Sequence, residues 1–111
     1  MSSNLQILTT PSFDKSIRRL LKKYPPLSSD LVELKKMLLD NPYSGIALGK
    51  DCYKIRMKIS SKNTGKSGGA RVITYVKIQM LRITLLDIYD KGGKENISDT
   101  ELTALLKKAE E

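Results

Sequence analysis

The stretch CYKIRMKISSKNTGKSGGARVITY, from Cys52 to Tyr75, constrains the fold more than any other part of the chain. In its first half Tyr53, Ile55, Met57 and Ile59 share one parity, and Lys54, Arg56 and Lys58 share the other. A period of two belongs to a β-strand, whose successive side chains point to opposite faces. The run therefore sets an apolar face against a face of three cations. A loop rich in Gly, Ser, Lys and Asn follows, then a second strand pattern with Arg71 near its start. Like charges gathered on one face repel, so the cluster is costly unless something anionic lies beside it.

A chain of 111 residues predicts one domain, spanning 1–111, with enough length to bury a core. Its apolar share of 40% and charged share of 29% are those of a soluble globular protein. No apolar run approaches the roughly 20 residues that cross a bilayer, so no membrane partner is expected. The start MSSNLQILTT lacks the basic and apolar segments of a signal peptide, and the single Cys52 has no internal disulfide partner. These features predict a cytoplasmic protein.

Charge narrows the function. Twenty Lys and Arg against twelve Asp and Glu give +8, and the pI near 9.6 lies above the roughly 9 that marks nucleic-acid-binding candidates. Solvated lysines or an acidic protein partner would satisfy the same field. Histidine and tryptophan are absent. Without the usual near-neutral acid–base group and commonest metal ligand, chemistry falls to Lys, Arg, Tyr or carboxylates. Neither a metal site nor a cofactor is expected.

Taken in order, Leu5 to Thr9 reads as a first strand ending before Pro11. Ser12 is a plausible helix N-cap, with Asp14 in the first turn. Phe13, Ile17, Leu20, Leu21 and Tyr24 then recur at helical spacing, opposite Lys15, Arg18, Arg19, Lys22 and Lys23. Those cations read as a wet helix face that could also grip a polyanion. Pro25-Pro26 stops the helix. Asp30 and Glu33 have capping-box spacing, with Ser28 or Ser29 as rival caps, and Leu31, Leu34 and Leu38 make a second helix up to Asn41-Pro42. Tyr43 to Asp51 reads as a connecting loop.

Strands follow at Cys52–Ser60, Arg71–Ile78 and Leu81–Tyr89, the last apolar on both parities, as suits the interior of a sheet. Asp90 to Asn96 is a turn-rich loop. Ser98-x-x-Glu101 is a capping box that opens a final helix carrying Leu102, Leu105, Leu106 and Ala109. The order β-α-α-β-β-β-α predicts an α+β fold: a small antiparallel sheet, with an N-terminal helical hairpin and a C-terminal helix on its apolar face.

Gly65-Lys66-Ser67 invites a phosphate-loop reading. The motif needs a glycine where Ser60 stands and a helix where a strand follows, so the reading fails. The loop is better described as basic and flexible, with Gly68-Gly69 allowing close backbone approach to a partner. The cationic set is Lys54, Arg56, Lys58, Arg71 and Lys91, with Lys62, Lys66 and Lys94 on loops. Such a set suits a phosphodiester. Metal-free RNA cleavage needs a base for the 2′-hydroxyl, charge stabilisation at the phosphorane and an acid for the 5′-oxygen. A lysine crowded by other cations loses its proton more readily, and arginine offers phosphate a permanent fork of donors.

The combination of YKIR, KSGGARVITY and LLDIYDKGGKENIS leading into a last helix resembles the RelE/HigB superfamily of toxins from bacterial type II toxin–antitoxin modules. The resemblance spans nearly the whole chain. It implies a RelE/ParE-like fold and a translation-inhibiting mRNA interferase, an endoribonuclease that cleaves mRNA in the ribosomal A site. Its implied partners are the ribosome with its rRNA and mRNA, and a cognate antitoxin. The family's basic positions fall on Lys54 and Arg56 in one strand, Arg71 at the start of the next, and Lys91 after the last. Lys54 is then the candidate base, Arg56 and Arg71 the phosphate stabilisers, and Lys91 a stabiliser or leaving-group acid. RNA contacts are expected from Lys58, Lys62, Lys66, Lys94, Arg18, Arg19, Lys22 and Lys23. Several RelE members place a base-stacking tyrosine near the last helix, where this chain has Ile97. Two other readings compete: a ParE-like poison of DNA gyrase without nuclease activity, and a degenerate member that only binds RNA or antitoxin.

Overall fold

The computed structural model describes residues 4–60, 68–92 and 96–109. The chain is α+β, and among the described residues its order is β1 Gln6–Thr9, α1 Pro11–Lys23, α2 Leu27–Asp40, β2 Ile46–Gly49, β3 Cys52–Met57, β4 Ala70–Lys77, β5 Arg82–Asp90 and α3 Asp99–Ala109. The strands form one sheet in the order β1-β5-β4-β3-β2.

Three features depart from the sequence expectation. The sheet is mixed rather than antiparallel throughout, because β1 lies parallel to β5 while the other pairs are antiparallel. The connection between them runs through both helices and three strands, long enough for a parallel pair. The segment Tyr43–Asp51, expected as a loop, contains β2, an edge strand whose alternation is too short to read. Its hairpin to β3 closes through Lys50 and Asp51 at φ 57° and 62°, the positive pair that two-residue hairpin turns use. No Asn-Gly or Asp-Gly announces that turn.

The third departure concerns the helices, which cover both faces of the sheet rather than one. Helices α1 and α2 bury Phe13, Ile17, Leu27, Leu34 and Leu38 against Ile55, Met57, Val72, Val76, Ile83 and Leu85. On the other face α3 buries Leu102, with Leu105, Leu106 and Ala109 partly buried, against Cys52, Ile73 and Leu86. The pattern ARVITYVK of β4 is apolar on both parities, so an uncovered second face would have left Ile73 in water.

Local caps explain the helix ends. Thr10, not Ser12, caps α1: its Oγ1 accepts from Phe13 N at 3.1 Å and donates to Leu86 O at 3.1 Å. Leu86 is the extra residue of a bulge in β5, where Ile73 pairs with Asp87 and Thr74 with Leu85. Helix α2 starts at Leu27, earlier than expected, with Pro26 before it and no side-chain cap. Asp30 is therefore not a cap. It is buried and accepts from Ser60 N at 3.0 Å and from Ser60 Oγ, which fastens the end of the β3 segment to α2. At α3 the capping box forms as read, with Ser98 N donating to Glu101 Oε1 at 2.9 Å and Glu101 N to Ser98 Oγ at 3.1 Å.

Gly69 serves the sheet itself rather than an outside partner. A Cβ there would stand 2.2 Å from Met57 O and 2.9 Å from Lys58 Cα, and its carbonyl accepts from Lys91 N at 3.0 Å. Replacing Gly69 with alanine forces backbone apart where β3, β4 and β5 meet. Gly69→Ala is expected to lose about 2 kcal/mol or more of stability in urea unfolding. Gly92→Ala, whose added methyl meets little beyond an Asp90 oxygen at 3.4 Å, is expected to stay within about 1 kcal/mol of wild type. Equal losses would contradict this role for Gly69.

Candidate nucleic-acid interface

The register of the three inner strands places the candidate residues. Arg56 pairs with Arg71 across β3 and β4, and Arg71 pairs with Tyr89 across β4 and β5. Arg71 lies between Ala70 and Val72, and Arg56 between Ile55 and Met57, all four of which belong to the α1/α2 core. Alternation then turns both arginines to the α3 face. Tyr89 packs with the apolar cluster on that same face. Arg56, Arg71 and Tyr89 form one row across three strands. Direct neighbours in such a row have Cα atoms roughly 4.5–5.5 Å apart.

Lys54 lies two residues before Arg56, opposite Ile73, and shares the face. Its Nζ donates to Asn96 Oδ1 at 2.7 Å, which ties the strand to the segment entering α3. Lys91 follows β5, with its backbone N on Gly69 O. Asp90 fixes this end of β5: its carboxylate accepts from Tyr24 OH at 3.0 Å and from Gly92 N at 2.9 Å. The fold thus brings Lys54, Arg56, Arg71 and Lys91 to one end of the sheet.

Burial divides the set. Arg56 is exposed and Lys91 half-buried, whereas Lys54 is 9% and Arg71 only 1% exposed. Arg71 Nη1 donates to Ala70 O at 3.2 Å. Two of the four cations are therefore largely closed off from solvent. Burying a guanidinium carries a desolvation cost that good hydrogen bonding must offset.

The remaining cations fall elsewhere. Lys58 is exposed beyond β3 and lines a groove with Arg56, Asp30, Glu33, Leu34 and Met37. Arg18, Arg19, Lys22 and Lys23 are exposed on α1, which covers the opposite face of the sheet. The end of α1 nevertheless approaches the row, since Tyr24 OH donates to Asp90 at 3.0 Å and Lys23 Nζ lies 5.4 Å from the centroid of the Tyr24 ring. Lys62, Lys66 and Lys94 lie outside the described residues. Ile97 is half-buried within the α3-side apolar cluster and serves as packing.

Asn96 joins the site through Lys54 and was not picked out by motif reasoning, while Tyr89 joins it through the register. The bulge at Leu86 breaks the alternation of β5, so counting parity along that strand does not show which face Tyr89 takes. No group of three or more His, Cys, Asp or Glu among the described residues is placed to hold a metal ion. No described helix is long and apolar enough to cross a membrane.

No protein-family model matches the chain, and no curated protein does. Among solved structures the chain is similar to an arginine-to-alanine double mutant of the E. coli toxin RelE in its free state. That similarity has a TM-score of 0.49 and 19% identity, over 95% of this chain and 93% of the other. At 19% identity it assigns no residue a role.

Two measurements follow from the geometry. Arg56 directly opposite Arg71 is a like-charge pair, so Arg56→Gln is expected to raise stability by about 0.2–1 kcal/mol at low salt. Because Arg56 is exposed, that gain should shrink at molar salt; a gain that ignores salt would point to packing instead. Burial, aided by Asp51, pushes the Cys52 thiol up to about 11. At pH 8 the folded protein should therefore react with Ellman's reagent far more slowly than the urea-unfolded chain, since the thiolate is the nucleophile. Equal rates would mean that β3 opens readily.

Proposed function

We propose that this chain is the toxin of a type II toxin–antitoxin module, a metal-independent endoribonuclease that cleaves mRNA in the ribosomal A site and so inhibits translation. The observation that carries the reading is the in-register pair Arg56–Arg71, with Lys54 and Lys91 at the same end of the sheet. Four cations gathered there suit a phosphodiester, which repays both their mutual repulsion and their desolvation. The motif resemblance to RelE/HigB toxins names the reaction. A gyrase poison of similar fold has no need of this row.

Each residue has a role in the reaction. Lys54, oriented by Asn96, is the general base that takes the proton of the 2′-hydroxyl. The 2′-oxygen attacks phosphorus, the bond to the 5′-oxygen breaks, and a 2′,3′-cyclic phosphate is left. Arg56 meets the phosphorane oxygens from the exposed rim. Arg71 lies beneath as a fixed positive charge, and reaches phosphate directly only once the residues covering it shift. Lys91 stabilises the phosphorane or protonates the departing 5′-oxygen. The ribosome, through rRNA, would position the message, so activity on naked RNA is expected to be low. A cognate antitoxin is the implied protein partner, and the cytoplasm the implied compartment.

The test is a cell-free translation reaction followed by primer extension on the message. Expected are arrested synthesis and new 5′ ends in register with codons. Lys54→Met, which keeps the volume of a buried side chain, should abolish the cuts, with a loss of about 10²-fold or more for a missing general base. Arrest without new ends would overturn the nuclease reading, and accumulation of gyrase–DNA cleavage complexes would replace it with the gyrase one.

A further inference from the structure

We propose that the end of the sheet away from Arg71 carries a second anion site, where Gln6, Lys77 and Arg82 hold a phosphate group. The site holds whether or not the chain cleaves RNA. Arg82 pairs with Gln6 across β5 and β1 and with Lys77 across β5 and β4. The three form a row whose direct neighbours lie roughly 5 Å apart. Ile7 beside Gln6, Val76 beside Lys77 and Ile83 beside Arg82 all pack in the α1/α2 core. Alternation therefore turns all three polar side chains to the α3 face. Thr84, half-buried and paired with Leu8 and Tyr75, adds a hydroxyl in the next row. Gln6 N donates to Leu81 O at 2.9 Å, which holds β1 against the turn that joins β4 to β5.

The chemistry of this row suits an oxyanion. Two cations in direct register weaken a sheet, and an anion between them reverses the sign of the interaction. Residues 6–9, 70–77 and 82–84, which build this end of the three strands, include no Asp or Glu. Asp51, whose O accepts from Val76 N at 2.9 Å, stands on the other side of β4 from Arg82. Arg82 gives the sharpest sign. Its Nε is buried and has no hydrogen-bond partner among the described residues, and a buried donor left unpaired is costly. An oxyanion beside a guanidinium takes two of its N–H groups in a forked pair. Gln6 is exposed and Lys77 half-buried, so a small anion reaches the guanidinium by displacing long side chains rather than backbone. Lys77 lies six residues beyond Arg71 on β4, about 20 Å away. Between the two rows α3 packs on Ile73 and Leu86. One phosphate cannot serve both rows, so this site takes a different one.

The test follows the Arg82 Nε–H signal of the whole, isotope-labelled chain by NMR, assigned through the carbons of its own side chain. Pyrophosphate is added at constant ionic strength, with chloride as the balancing anion. The signal is expected to shift and saturate. Lys77→Gln should weaken that saturation about tenfold, while Arg56→Gln, in the other row, should leave it unchanged. An octaribonucleotide is the second arm. Saturation at a lower phosphate concentration than pyrophosphate needs would identify an RNA backbone as the source of the phosphate. The reverse order would identify a free phosphorylated ligand, and either order supports the site. A signal that moves with neither probe removes the site, as does equal saturation in Lys77→Gln and wild type. Because the wild-type signal is itself the readout, a variant that failed to fold would not shield the assignment.

Discussion

The rest of the structure depends on the close crossing of backbone at Gly69. Met57 O comes so near that no side chain fits, and Lys91 N reaches Gly69 O from the other side. This crossing fixes the register of β3, β4 and β5 together. Register in a sheet is all or nothing for side chains, since a slip by one residue sends each to the opposite face. The alignment of Arg56, Arg71 and Tyr89 follows from it.

The fold holds this end of the sheet with polar fasteners as well as apolar packing. Asp30 ties Ser60 to α2, Asp90 ties α1 to the end of β5, and Ser16 Oγ donates to Asp87 at 2.7 Å. The first joins α2 to the segment after β3, the second α1 to the end of β5, and the third α1 to β5 beside its bulge. Two arginines side by side weaken a sheet, and burying one of them adds a desolvation term. Anchoring by α1 and α2 on one face and α3 on the other allows the row to persist. The candidate site is thus a local instability held in place by its surroundings, as expected for a site shaped by function.

Much of this was legible in the sequence. Alternation in β3 located the apolar and cationic faces, and helical spacing located α1 and α3. Lys54, Arg56, Arg71 and Lys91 were identified from motifs, and the fold brings them to one end of the sheet. What escaped has physical causes. β2 is four residues long, too short for a periodic signal. The parallel placement of β1 depends on the long-range pairing of Gln6–Thr9 with Arg82–Leu85, which local pattern does not encode. Burial of Lys54 and Arg71 depends on long-range packing that local pattern does not encode, and the face that Tyr89 takes depends on the bulge at Leu86. The cations of α1 read as a wet helix face, and they are exposed on that helix.

The cations of α1 and those of the strand-end row are two candidate basic surfaces, and the row is the one proposed to meet RNA. The most direct measurement is the salt dependence of octaribonucleotide affinity for wild type, Arg56→Gln and Arg19→Gln. Each single-strand phosphate that the protein ceases to neutralise lowers the slope of log K against log salt by about 0.7. The expected result is a slope reduced by Arg56→Gln and left unchanged by Arg19→Gln. A slope reduced by Arg19→Gln alone would put the RNA on α1 and contradict the central claim.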